Sequence, residues 1–162
     1  MTLDELTTFA EHDLPEAERL ILQNPGLLKL RSTIGETPLH YLVVENKIPS
    51  VKLLITKGSD VNTKNEFYGT PLLDATSLEY LEMCSLLLRH GAAIETMDNV
   101  GHTPISMATA KGNSDLFNLL YAKSKLDINI FFDDVEAQSV IDNPDNSVKK
   151  LVLQMGLKSR YI

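Results

Sequence analysis

The sequence predicts an all-α solenoid, a row of stacked helix-turn-helix units joined by hairpin-like finger loops. Three observations carry this. Thr37-Pro38-Leu39 returns as Thr70-Pro71-Leu72 and again as Thr103-Pro104-Ile105, 33 residues on each time. Leu53-Leu54 with Gly58 returns at the same interval as Leu86-Leu87 with Gly91. Polar turns at Lys64-Asn65 and Asp98-Asn99 separate the apolar runs. A fixed period of this size marks small units that cannot bury their apolar faces alone and must stack. The question therefore moves from catalysis to binding.

The first unit opens with Thr2-Leu3-Asp4-Glu5, a capping box in which the Thr2 hydroxyl serves a free N–H and Glu5 reaches back. Leu3, Leu6 and either Phe9 or Ala10 follow at helical spacing. Asp13 and Glu16 repeat the capping logic around Pro15, at a tolerated early-helix position. Ala17, Leu20 and Ile21, with Leu22 as a further candidate, line a second helix that Asn24-Pro25-Gly26 ends. This pair lacks the Thr-Pro-Leu start, as a half-exposed end unit would.

In the central units Thr37, Thr70 and Thr103 are N-caps, and the proline behind each takes the first helical position. The first helices are expected near Pro38–Glu45, Pro71–Leu78 and Pro104–Lys111, and the second near Pro49–Lys57, Glu82–His90 and Ser114–Lys123. Gly58 and Gly91 suit the left-handed residue that closes a helix. Ser124 replaces that glycine in the third unit and predicts a looser junction there. Asp60-Val61-Asn62 and Ala93-Ile94-Glu95 lead into the fingers.

After Asn129 the pattern decays. Asp133 and Glu136 cap a candidate helix over Val135–Ile141, Asn143–Asn146 reads as a turn, and Val148, Leu151, Val152 and Met155 carry a last helix. The whole chain, 1–162, reads as one domain: an N-terminal capping unit 1–34, repeats at 35–67, 68–100 and 101–129, and a degenerate C-terminal capping unit 130–162.

Composition narrows the function classes. Net charge is −7, so nucleic-acid phosphates would repel the chain unless it carried a concentrated basic face. Lys149, Lys150, Lys158 and Arg160 are the candidates for such a face and read more simply as a solvated helix face and tail. Residues 1–18 hold six acids and no Lys or Arg, which fits a soluble end cap. No apolar run approaches the ~18 residues of a membrane span, and the acidic start lacks the pattern of a secretory signal. The single cysteine, Cys84, leaves no internal disulfide framework. These features predict a cytoplasmic monomer in a reducing compartment, with no cofactor and no partnership with nucleic acid or membrane.

The sequence resembles the ankyrin-repeat family. The resemblance rests on Asp98-Asn99-Val100-Gly101-His102-Thr103-Pro104-Ile105, which matches Asp-x-x-Gly-x-Thr-Pro-Leu, and on Val51–Leu54 followed by Gly58-Ser59-Asp60-Val61-Asn62. It covers about Gly35 to Asn129. It implies a curved row of helix pairs that binds proteins with its fingers and the inner face of its first helices, on a scaffold without catalytic residues. It also implies that His40, which completes Thr-Pro-Leu-His, hydrogen-bonds the local backbone. Leu73 and Ser106 stand at that position later, so those junctions are expected to lose a polar tie. Tyr68 falls where the family has glycine, with Gly69 one place late. An aromatic at positive φ is strained, so the turn is expected to re-register onto Gly69 and push Phe67 and Tyr68 outward. In this family the Asn at the position of Asn62 can be an asparaginyl-hydroxylase substrate, although a hydrogen bond within its own turn is the plainer role.

Mapping the family's variable contact positions from each Thr-Pro gives Thr33, Ile34, Glu36, Val44 and Glu45 in the first repeat. The second gives Glu66, Phe67, Gly69, Ser77 and Leu78, and the third Asn99, Val100, His102, Ala110 and Lys111. From these and the neighbouring Tyr68 come the candidate partner-binding residues: Ile34, Glu36, Glu45, Glu66, Phe67, Tyr68, Leu78, Asn99, Val100, His102 and Lys111. Ile34, Phe67, Leu78 and Val100 are apolar where a solvated loop should be polar, and rigidly held aromatics are typical interface anchors. Glu36, Glu45, Glu66 and Asp74 rim this patch and favour a partner with a basic patch.

Catalysis finds little footing. Cys84 sits at an interior register and should be inert. His12, His40, His90 and His102 show no metal-ligand spacing, so no metal site is expected. Asp133-Asp134 reads as helix capping, and no glycine-rich phosphate loop is present. Two non-enzymatic functions remain open. One is a scaffold or adaptor, of which an effector delivered by an intracellular bacterium is a variant. The other is an inhibitor or immunity-type protein that occludes one enzyme or toxin.

Overall fold

Each Thr-Pro pair starts a helix. Thr70 and Thr103 accept the N–H of Leu73 and Ser106 through their hydroxyls, and the proline that follows has no N–H to leave unpaired. The computed structural model describes residues 1–124. Along them run α1 (Leu3–His12), α2 (Leu14–Gln23), a 3₁₀ turn (Pro25–Lys29), α3 (Pro38–Val44), α4 (Ile48–Thr56), α5 (Pro71–Ser77), α6 (Leu81–Arg89), α7 (Pro104–Ala110) and α8 (Ser114–Tyr121). No strand occurs among the described residues. The helices of the three repeats match the expected ones to within about a turn's fraction at each end, the usual uncertainty of a helix boundary. What was read beyond Ser124, including the capping unit 130–162, lies outside the described residues.

The helices pair as α1 with α2, α3 with α4, α5 with α6 and α7 with α8, while α1, α3, α5 and α7 form one row. Inside the row lie Leu39, Leu42 and Val43 of α3, Leu72 and Ala75 of α5, and Ile105 and Ala108 of α7. Val51 and Leu54 of α4, Met83, Cys84 and Leu87 of α6, and Leu116, Phe117 and Leu120 of α8 close the core from the second row. No unit could bury these side chains alone, and this burial is what makes the stack cooperative.

The first helix pair, α1 and α2, departs from expectation in one position. Leu22 is 63% exposed, because Ala17 and Ile21 already fill the inner face of α2. In α1 it is Ala10 that is buried, and Phe9 stays at the surface. The Thr2–Glu5 capping box and the Asp13 cap form as read. The acids of this unit also fasten it to the first repeat. Glu11 pairs with Lys47 at 3.1 Å and Glu18 with Lys57 at 2.5 Å, while the Ser50 hydroxyl donates to the Ala10 carbonyl at 2.5 Å.

Gly58 (φ 102°) and Gly91 (φ 88°) close α4 and α6 in the left-handed region. A second left-handed series carries glycine at only one of its three positions. Asn46, Glu79 and Gly112, spaced 33 apart, all take positive φ in the turn between the two helices of a unit.

Candidate functional site

The fingers are built on one repeated polar residue. Ser32, Asn65 and Asp98 each stand five residues before a Thr-Pro threonine. In the first finger the Ser32 hydroxyl accepts the N–H of Ile34 and Glu36. In the second, Asn65 Oδ1 accepts the N–H of Phe67 and Gly69, both at 2.9 Å. In the third, Asp98 Oδ1 accepts those of Val100 and His102. Each turn is closed again by a backbone bond: Ser32 to Glu36, Asn65 to Gly69, Asp98 to His102. Adjacent fingers are stitched by Glu66 N–H to the Ile34 carbonyl and Asn99 N–H to the Phe67 carbonyl, both at 3.0 Å. Arg31 adds a clamp, donating to the carbonyls of Gly35 and Lys64 and to the Thr63 hydroxyl. The fingertips are therefore rigid, and the side chains they present are held in place.

The expected re-registration of the second finger does not occur. Gly35 and Gly101 take the left-handed conformation in their fingers, at φ 77° and 103°, and Tyr68 takes it at the equivalent position, with φ 60°. Gly69 does not. The bonds from Asn65 and the stitches to both neighbours fix the turn length, so the strain stays on Tyr68. The outward direction is nonetheless as read: Phe67 is 50% exposed and Tyr68 57%. The Lys64 ammonium lies 5.6 Å from the centre of the Tyr68 ring, a cation–π distance.

Behind the fingers, residues 41, 44 and 45 of the first repeat fall on one helix face, as do 74, 77 and 78 and then 107, 110 and 111. Tyr41, Val44 and Glu45 are exposed on it, followed by Ser77 and Leu78, then Ala110 and Lys111. Asp74 sits in the middle of this row and is half-buried. Its Oδ2 is buried and has no hydrogen-bond partner. Burial, with the like charge of Glu36 second, pushes its carboxyl from the ordinary 3.8 up to about 7. Glu36 stands just ahead of Thr37, so the base of the first finger borders the face of α5.

The remaining candidates fall as follows. Ile34 and Val100 are exposed fingertips, Val100 at 71%. Glu66 and Asn99 point their side chains to solvent and use their N–H groups as stitches. His102 is exposed, with Nδ1 3.0 Å from Asp98 Oδ2. Although partial burial acts to raise it, the Asp98 carboxyl is held below its ordinary value by the His102 N–H, the His102 ring and the Val100 N–H. Lys111 lies 4.0 Å from Glu79.

Four other residues are structural. His40 is buried; its Nδ1 accepts the Thr37 N–H at 3.2 Å, so Nε2 carries the proton that bonds the Gly69 carbonyl of the next repeat. Burial, reinforced by the charge of Arg31, pushes it down to about 4 despite the Gly69 bond, so it is neutral. Ser106 keeps the local half of this arrangement: it accepts the Thr103 N–H at 2.9 Å. The local tie expected to be lost in the third repeat is thus retained, and Leu73 in the second makes none. Cys84 is buried, and desolvation pushes its thiol up to about 11 against a bond with Thr76. As expected, Asn62 bonds within its own turn, its backbone N–H donating to Asp60 Oδ1 at 2.9 Å, but its side chain reaches further. Its amide bridges to the next repeat, accepting from Ala93 N–H at 2.7 Å and donating to the Gly91 carbonyl at 3.1 Å.

Among the described residues no three His, Cys, Asp or Glu side chains gather as a metal site, and no helix is long and apolar enough to cross a membrane. The sequence model for three copies of the ankyrin repeat matches residues 39–131. The chain belongs to the ankyrin-repeat family. Putative ankyrin repeat protein FPV031 of fowlpox virus is 31% identical over 118 residues, 69% of this chain and 34% of that protein. Ankyrin repeat protein OPG189 of monkeypox virus is 43% identical over 63 residues, 38% of this chain and 11% of that protein. Serine/threonine-protein kinase VIK of Arabidopsis thaliana is 33% identical over 81 residues, 50% of this chain and 18% of the kinase. The chain thus spans between 11% and 34% of the length of these relatives. Ankyrin repeats generally mediate protein–protein interaction and are typically non-catalytic.

Proposed function

We propose that this chain is a scaffold or adaptor that holds a partner protein by its fingertips and by the outward face of α3, α5 and α7. Tyr68 carries the reading. A tyrosine in the left-handed region costs about 1–2 kcal/mol relative to a relaxed conformation. It occupies the position that Gly35 and Gly101 fill in the other fingers, and its ring is largely in water. Stability favours glycine there. A strained, rigidly held, solvent-facing aromatic next to Phe67 is an anchor waiting for a partner's pocket. Ile34 and Val100 extend the apolar strip to the neighbouring fingers, and Leu78 extends it onto the helix face. A cytoplasmic location is part of the same proposal and rests on the single thiol.

The test is affinity capture with mass spectrometry, wild type against Phe67→Ala/Tyr68→Ala. Helical circular dichroism and melting temperature should match, and the protein retained by wild type should be lost. Equal capture by both baits would sink the finger reading. One dominant, tightly held enzyme or toxin among the retained proteins would move the assignment from adaptor to inhibitor.

A further inference from the structure

We infer that the segment bound on this surface presents one lysine or arginine side chain to Asp74, with apolar side chains of the same segment on Tyr41 and Leu78. The inference rests on the protein-binding reading above and specifies the chemistry of what is bound.

Asp74 is the central residue of the outward helix face, flanked in register by Tyr41 on α3 and Met107 on α7. Its buried Oδ2 has no partner. An unsatisfied buried acceptor is unfavourable in the free protein. Nothing in the helix requires it, because the Thr70 hydroxyl already caps α5. Among the described residues no cation pairs with Asp74, nor with Glu36, Glu45 or Glu66. The charge that acts on Asp74 is another acid, Glu36. The face is therefore an apolar strip with an unpaired acidic centre, whose carboxyl an adjacent cation would draw into its charged form. Its complement is a basic residue between apolar ones. Phosphate-rich ligands, whether nucleic acid or anionic lipid, meet the wrong sign here. Oδ2 itself has no accessible surface, so a guanidinium or ammonium set at Asp74 meets the accessible part of this half-buried side chain, where the adjacent positive charge favours the ionised carboxyl and a charge-assisted bond.

The test uses a displayed random-peptide library selected on the full chain, then synthetic copies of the enriched peptides. Enriched sequences should share one Lys or Arg flanked by apolar residues, and Phe67→Ala/Tyr68→Ala should weaken them. Asp74→Asn should weaken them about tenfold, as should replacing the peptide's basic residue by norleucine. The two changes together should cost no more than either alone, because both remove the same contact. Asn matches Asp in shape, and a melting temperature no lower than that of wild type shows that Asp74→Asn is folded; Glu36→Gln serves as a milder second variant, with a smaller loss. Additive losses, or a consensus that is acidic or wholly apolar, would overturn the Asp74 assignment while leaving the finger reading standing. Peptides indifferent to the Phe67/Tyr68 change, or no peptide selected by wild type, would count against both.

Discussion

Replacing Asp74 by Asn should stabilise the protein, and increasingly so as pH rises. In the folded chain the carboxyl keeps its proton up to about pH 7; in the unfolded chain it loses it near 3.8. Between those values unfolding releases a proton, so the Asp74 contribution is fully present below about 3.8 and is lost as pH rises through about 7. Asparagine never ionises and escapes this loss. From pH 5 to pH 7 the span is two units, at about 1.4 kcal/mol each, so the advantage of Asn should grow by at most about 3 kcal/mol and then level off. Water reaching the exposed part of the carboxylate lowers the real figure, and about 1.5 kcal/mol is the expected growth. His40 acts in the opposite direction. Its folded pKa lies near 4 against an ordinary 6.5, so its contribution is present above 6.5 and is lost as pH falls towards 4. In wild type the two trends offset each other; in Asp74→Asn the acid-side loss from His40, at most about 3.5 kcal/mol, should stand uncovered. Urea unfolding followed by circular dichroism at about pH 5 and pH 8, with unchanged m-values, gives the comparison directly. A stability difference between variant and wild type that is the same at both pH values, within about 0.5 kcal/mol, refutes the buried-charge reasoning.

The remaining predictions are shorter. Leu87→Ala should destabilise by about 2–5 kcal/mol, since Leu87 is wholly buried in α6; a loss under about 0.5 kcal/mol in urea unfolding would mean the helix faces the other way. Tyr68→Gly should leave stability unchanged or raise it by up to about 1 kcal/mol, the relief of positive φ offset by glycine's entropy, while partner capture falls; destabilisation beyond about 1 kcal/mol would show that Tyr68 serves the fold. Cys84 should resist a thiol reagent in the native protein near neutral pH and react stoichiometrically once urea unfolds it, because its thiol is buried and pushed up to about 11. Fast native labelling would contradict that burial.

The periodic features of this fold were legible because each one is local. Thr37, Thr70 and Thr103 cap helices with their own first turns, and Gly58 and Gly91 close helices with their own φ. What was not legible lies between units. Ser32, Asn65 and Asp98 do one job with three residue types, so no repeated letter marks them, although their shared register and their capacity for Asx-like turns were available signals. Asp74 reads in sequence as one of several surface acids at the rim of the candidate patch. That it is half-buried with a bare oxygen depends on how the finger base at Glu36 borders α5, which no spacing within one repeat encodes.

Tyr68 shows why the local rule failed. Steric preference alone puts positive φ on Gly69, at a saving of about 1–2 kcal/mol. Moving it there would displace Gly69 N–H and carbonyl from Asn65, which they bond through Oδ1 and N–H, and would drag Phe67 off Asn99 and Glu66 off Ile34. Each bond contributes about 0.5–1.5 kcal/mol, so four of them outweigh the strain. The His40 Nε2 bond to the Gly69 carbonyl adds a fifth, reaching across from the previous repeat. Two of the five bonds lie within the second finger and three reach adjacent repeats, so the conformation of Tyr68 is set by the stack and not by its own dipeptide. The stack is thus what permits an aromatic to stand strained and exposed at a fingertip, and a sequence change there can alter what is bound without disturbing how the chain folds.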